Sequence, residues 1–121
     1  MLARKLANLG AVAMIAVGIG GALYPKEFSR GYGLDADSEN AATYVQAAGA
    51  RDIALGIILL RASLHGKNKA LRTALLCGAL VAGSDLLLVG TRTRDPGKVA
   101  IHATGVTGIL FVWLLAKFRE S

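Results

Sequence analysis

Between Ala48 and Leu60 the chain is apolar on both sides of one charged pair, Arg51-Asp52. Ionisable groups in such a segment are expensive, and they persist mainly where they face a bundle interior and find partners there. Two other apolar segments offer such partners, Asp85 and His102. The pattern constrains the chain to a small helical membrane protein organised around one intramembrane polar cluster.

The bulk composition agrees. In 121 residues, 54% are hydrophobic and the mean hydropathy is +0.49, too apolar for an ordinary soluble domain of that size. Aromatics make up only 6%, while Gly contributes 15 residues and Pro 2, so the apolar mass is small and aliphatic. Such residues suit helices packed closely in lipid. The net charge of +6 does not indicate nucleic acid, because Arg4, Lys5, Lys67, Lys69, Arg72, Lys117 and Arg119 sit at segment ends. That placement sets membrane topology, whereas a nucleic-acid face needs a continuous basic stripe on a soluble surface. The lone Cys77 allows no internal disulfide and reads as a buried, inert thiol.

Leu6 to Leu23 carries no charge and follows Arg4-Lys5, as expected of a first spanning helix. A cleaved signal peptide would have a shorter apolar core and a small-residue cleavage site, which the Gly21–Pro25 segment does not resemble. Ala16 and Gly20 offer a small-xxx-small contact face. Tyr24-Pro25 ends the helix, and Lys26 to Asn40 reads as a polar loop. Within it Phe28, Tyr32 and Leu34 are expected on the membrane surface or over the bundle mouth. Asp37 or Ser38 can cap the next helix, with Glu39 favourable in its first turn.

The remaining breaks, at Gly66–Lys69 and Thr91–Gly97, complete four spanning helices over about 4–24, 40–65, 69–90 and 97–119. They form a single membrane domain, residues 1–121, of all-α class: a four-transmembrane-helix bundle with both termini on one side. Lys and Arg at 4, 5, 61, 67, 69, 72, 117 and 119 outnumber those at 26, 30, 92, 94 and 98, so the termini are expected in the cytoplasm. At about 1.5 Å per residue, Arg51, Asp52, Asp85 and His102 then lie roughly 6–11 Å inside the opposite boundary. Their faces agree as well. Asp52 shares a helical face with Gly49 and Gly56, Asp85 with Gly78 and Ala82, and His102 with Gly105. Small residues mark the close-packed side of a membrane helix.

Neighbours on a helix do not face each other, so Arg51 is expected to pair with Asp85 and Asp52 to orient His102, directly or through water. Arg51, Asp52, Asp85 and His102 are the candidate catalytic residues. Tyr24, Tyr44, Ser84 and Thr104 are candidate ligand-binding residues that would add hydrogen bonds near the mouth. No metal or cofactor is expected: the chain has no His-x-x-x-His or Cys-x-x-Cys spacing for zinc, no strand before Gly18-Ile-Gly20-Gly21, and no Gly-x-Ser-x-Gly elbow or phosphate loop.

Pro25 and Phe28 after the first helix, the Gly49-Ala-Arg-Asp52 string with Gly56, Asp85 and His102 together resemble a family of small four-helix integral membrane proteins of bacteria and fungi, known as a domain of unknown function. The resemblance covers most of the chain and implies the bundle architecture, not a reaction. A looser similarity is to small DoxX-like four-helix proteins.

The leading expectation is an integral protein of a plasma or inner membrane whose polar site takes a lipophilic small molecule. Acid–base chemistry there (isomerisation, cyclisation or hydration) would have His102 carrying the proton, Asp52 orienting it and Arg51 stabilising negative charge. The alternatives are a proton-linked transport subunit, requiring an oligomer, and a structural or assembly subunit in which the network only fixes helix register. Membrane lipids, a lipophilic small molecule and a second copy of the chain are the expected partners.

Overall fold

The computed structural model describes residues 2–33 and 37–119. Leu34 and Asp35, assigned above to the loop, lie outside the described residues. Five helices follow one another: α1 (Leu2–Leu23), α2 (Pro25–Tyr32), α3 (Glu39–His65), α4 (Asn68–Arg92) and α5 (Pro96–Phe118). The chain is therefore all-helical among the described residues, but it has five helices where four were expected.

The additional helix, α2, occupies the segment read as a polar loop. Pro25 starts it at a position where the missing N–H costs nothing, and Gly33, at φ 106°, ends it by returning its N–H to the Ser29 carbonyl. Ser38 rather than Asp37 caps α3: its hydroxyl accepts from the Ala41 N–H at 3.1 Å, while Asp37 lies 3.8 Å from exposed Arg30. Asp95 caps α5 at the Gly97 N–H, 2.9 Å away.

The four long helices run up and down. Arg4 in the first turn of α1 donates to the carbonyls of Ala62 (3.2 Å), Ser63 (2.8 Å) and Gly66 (2.9 Å) at the end of α3, which fixes that pair as antiparallel. Ser63 also donates to Asn8. Asn68 at the start of α4 donates to the Ala116 carbonyl near the end of α5 at 2.9 Å, so these two are antiparallel as well. The start of α1 and the end of α5 therefore share one end of the bundle.

The most extensive packing is between α1 and α3, and small residues produce it. Ala3, Ala7, Ala11, Gly18 and Gly21 are the buried stripe of α1, against Ala42, Gly49, Gly56, Leu59 and Ala62 of α3. Without side chains in the way, the two backbones approach closely and gain dispersion contacts that lipid does not supply. Ala16 is exposed, and Gly20 lies under the Phe28 ring of α2, so the expected Ala16/Gly20 face is not the one that meets α3.

Three helices, α1, α4 and α5, are long and apolar enough to cross a membrane. This is the make-up of a small integral membrane protein. α3 has the length but not the composition, because Arg51, Asp52 and Arg61 interrupt it. Large apolar side chains such as Leu9, Leu80 and Leu87 point outward, as lipid-facing residues do. Cys77 is also exposed, in contrast to the buried thiol expected, because it sits on the outer flank of α4. The main cluster of buried apolar side chains, Ala3, Ala7, Ala11, Leu59, Leu71, Leu75 and Ala116, lies in the half of the bundle near the termini, while Val89 and Ala42 are buried in the other half. The other half is where the cavities lie.

Candidate functional site

At the end away from the termini, α2 folds back over the bundle, packing against α1 and α3. Phe28 fills the space above Gly20, where a β-carbon would overlap its ring. Ser29 is buried and donates to the Lys26 carbonyl at 2.8 Å. One turn later Tyr32 projects inward, half-buried among α3, α4 and α5 residues.

Beneath α2 the ionisable groups of α3 and α4 are joined by one guanidinium. Arg51 Nη2 lies 3.1 Å from Asp85 Oδ2 and 3.1 Å from Asp52 Oδ1, and Nε adds a 3.2 Å bond to the same Asp52 oxygen. Arg51 thus holds its sequence neighbour as well as its partner on α4. The long side chain swings back across the helix surface, which the rule that adjacent residues diverge does not anticipate, since that rule concerns Cβ directions. Asp85 is the least exposed of the three side chains, at 15%. One cation and two carboxylates leave a surplus negative charge if all are ionised.

His102 of α5 takes a different partner from the one expected. Its Nε2 lies 2.9 Å from the Tyr32 backbone carbonyl, and the ring sits edge-on to the Tyr32 ring with centroids 4.3 Å apart. A carbonyl oxygen only accepts, so Nε2 carries the proton, and in the neutral ring Nδ1 is the basic nitrogen. The group that orients Nε2 is therefore α2 backbone, and no direct hydrogen bond joins His102 to Asp52 among the described residues, although both line the same hollow. The Tyr32 phenol is pushed well above the ordinary tyrosine range, first by burial and then by hydrogen bonding to Asp85 and that carboxylate's charge. It stays a neutral donor across the physiological range.

Two hollows flank this group. One, of about 300 Å³, lies between α1, α2 and α3, lined by residues including Val17, Gly21, Tyr44, Val45 and Arg51. The other, of about 570 Å³, lies between α1, α2, α4 and α5, with Met14, Val81, Ile101, His102 and Ile109 among its walls. Both are bounded by Val17, Phe28, Tyr32, Asp52 and Asp85. The polar side chains thus stand where two mainly apolar spaces adjoin.

The other predicted residues are placed unevenly. Tyr44 lines the smaller hollow at its exposed rim. Tyr24 is exposed at the α1–α2 junction. Ser84 is exposed on α4 and lines neither hollow. Thr104 faces outward on α5, its hydroxyl donating to the Ala100 carbonyl at 2.8 Å within its own helix. Conversely, sequence reasoning did not place Tyr32 and Phe28 in the site. The signal was present: Pro25 and Gly33 bracket a helix in which Phe28 and Tyr32, at i and i+4, share a face.

Residues 11–116 match a family described as Domain of unknown function (DUF4267), a span that includes every residue of the polar group. The chain belongs to this family. The similarity to DoxX-like proteins is not shown by that match. No curated protein and no solved structure matches the chain.

Proposed function

We propose that this DUF4267 protein binds a lipophilic small molecule in the adjoining hollows beneath α2 and presents it to Asp52, Asp85, Arg51, Tyr32 and His102 for acid–base chemistry. The observation that carries this reading is the shared wall. Two largely apolar spaces, together large enough for a molecule of drug size, meet at the group that holds two carboxylates, a guanidinium, a neutral phenol and an imidazole of defined tautomer. A network serving only helix register would be expected to pack solid, as the opposite half of the bundle does.

α3 crosses the membrane with the other long helices under this reading. It is antiparallel to α1 and packed along it, so a spanning α1 carries α3 to the same depth. Arg51 and Asp52 face α4 and the hollows rather than lipid, which is how intramembrane ionisable groups are tolerated, and exposed Arg61 lies within two turns of the end of α3, from which its long side chain reaches the interface. The charge count favours termini on the cytoplasmic side, which places α2 at the outer face.

In the chemistry proposed, His102 Nδ1 exchanges a proton with the ligand while Nε2 is held by Tyr32. Tyr32 and Arg51 donate to an oxygen that gains negative charge, and the surplus carboxylate of the Asp52/Asp85 pair serves as a second proton acceptor. Isomerisation, cyclisation and addition of water all fit this set.

The test is mass spectrometry of small molecules extracted from the purified full chain, with Asp85→Asn and His102→Ala alongside. A lipophilic molecule retained by the wild type and lost from both variants, each still helical, is expected. Retention by both variants would overturn the reading. Proton uptake into proteoliposomes that Asp85→Asn abolishes, with no bound molecule, would replace it with proton-linked transport.

A further inference from the structure

The opposite end of the bundle holds a second arrangement, independent of the site beneath α2. Among the described residues near the termini there is no Asp or Glu, while Lys67, Lys69, Arg72, Lys117 and Arg119 gather at the start of α4 and the end of α5. The acid that the sequence adds there, Glu120, lies outside the described residues. Like charges brought together by folding repel one another unless an anion sits among them.

The polar atoms within this group point to where the anion belongs. Asn68 ties α4 to α5 through the Ala116 carbonyl. Because the helices are antiparallel, Arg72, one turn further along α4, is level with Val112 and Trp113. Arg72 Nε and Trp113 Nε1 are both buried donors with no hydrogen-bond partner among the described residues, and the Asn68 Oδ1 acceptor is likewise buried without one. Buried N–H groups are seldom left this way, since each loses its water without replacement. Lys117 Nζ stands 4.8 Å over the Trp113 ring, held at the same place. Two cations and an indole N–H thus lie within about one helical turn of one level, where the apolar lengths of α4 and α5 give way to charge, the level of lipid headgroups.

We infer that this end binds the phosphate of an anionic phospholipid, with Arg72 and Trp113 donating to it and Lys117 completing the charge. A guanidinium suits phosphate geometry, and basic clusters at helix ends recognise anionic headgroups. Exposed Leu76, Leu114 and Phe118 beside the cluster give the acyl chains an apolar surface. This explains buried donors that the site beneath α2 does not use.

The full chain, delipidated in detergent, is offered phosphatidylglycerol, phosphatidylcholine with the same acyl chains, or inorganic phosphate, and occupancy is read by native mass spectrometry. Phosphatidylglycerol is expected to be retained at least about fivefold over phosphatidylcholine, and inorganic phosphate is expected not to displace it. Arg72→Gln should weaken retention about fivefold, the effect of one interfacial cation. Trp113→Phe, which keeps a ring beneath Lys117, should weaken it too and carries the test if Arg72→Gln does not fold. Lys26→Gln, at the other end, should change nothing. Equal retention of the two lipids, wild-type retention by Trp113→Phe, or ready displacement by inorganic phosphate would overturn the inference.

Discussion

Gly18 and Gly49 meet backbone to backbone: a β-carbon on Gly49 would lie 2.5 Å from the Gly18 carbonyl oxygen. The same approach recurs where a β-carbon on Gly56 would lie 2.9 Å from the Ala11 carbonyl oxygen. This contact sets the height of α3 against α1, and with it the position of Arg51 and Asp52 immediately beyond Gly49.

Gly49→Ala is accordingly expected to destabilise the folded chain by about 1–3 kcal/mol, the usual cost of overpacking, because the obstacle is backbone and cannot rotate away. Gly83 in α4 meets nothing within 4 Å, so Gly83→Ala should be neutral or stabilising by up to about 1 kcal/mol. Denaturant titration of the helical circular dichroism signal distinguishes the two.

Arg51 is shared by Asp52 and Asp85, so the three positions should not behave alike. Asp85→Asn leaves Arg51 with Asp52, whereas Arg51→Gln leaves two carboxylates without their cation. Arg51→Gln is therefore expected to be the more destabilising change. A double-mutant cycle between Arg51 and Asp85 should give a coupling of roughly 0.5–3 kcal/mol, measured by the same titration.

Tyr32 predicts an alkaline transition. Its folded-state pKa is raised, so the folded chain holds this proton after the unfolded chain has released it. The associated stability is full below the ordinary tyrosine pKa of about 10 and is lost as pH rises above it. Near-ultraviolet absorbance should show one phenol ionising late or only on unfolding, and Tyr32→Phe should remove that phase.

Arg4 closes the last turn of α3 through three carbonyls. Arg4→Gln should cost about 1 kcal/mol, in the range for a cap that also complements the helix dipole. Hydrogen exchange should quicken at the α3–α4 turn first. Arg4→Lys, which keeps the charge without the fork, should fall between.

Much of this was legible in the sequence because polarity breaks and helix ends have the same cause. The helices stop at Leu23, His65 and Arg92, beside Pro25, Gly66 and the Thr93–Pro96 turn. Arg51, Asp52 and Asp85 stood out because charge in an apolar run demands a partner. α2 was hidden by its length, and by polar residues that resemble a loop until Pro25 and Gly33 are read as its two ends. The partner of His102 was hidden for another reason: it is a backbone carbonyl, and no residue type announces that. Thr104 and Ser84 misled because a hydroxyl on a membrane helix can satisfy itself on its own backbone, as Thr104 does with Ala100.

Under the proposed ligand-binding role, the Tyr32 carbonyl on His102 ties entry of a ligand to the aim of the imidazole. The same short helix covers the hollows, supplies the phenol beside Asp85, and grips the imidazole by its main chain. Swinging α2 aside to admit a guest would therefore strip His102 of its tether in the same movement, so that a chamber open to arrivals is one whose imidazole is no longer aimed, and only reclosure restores the aim.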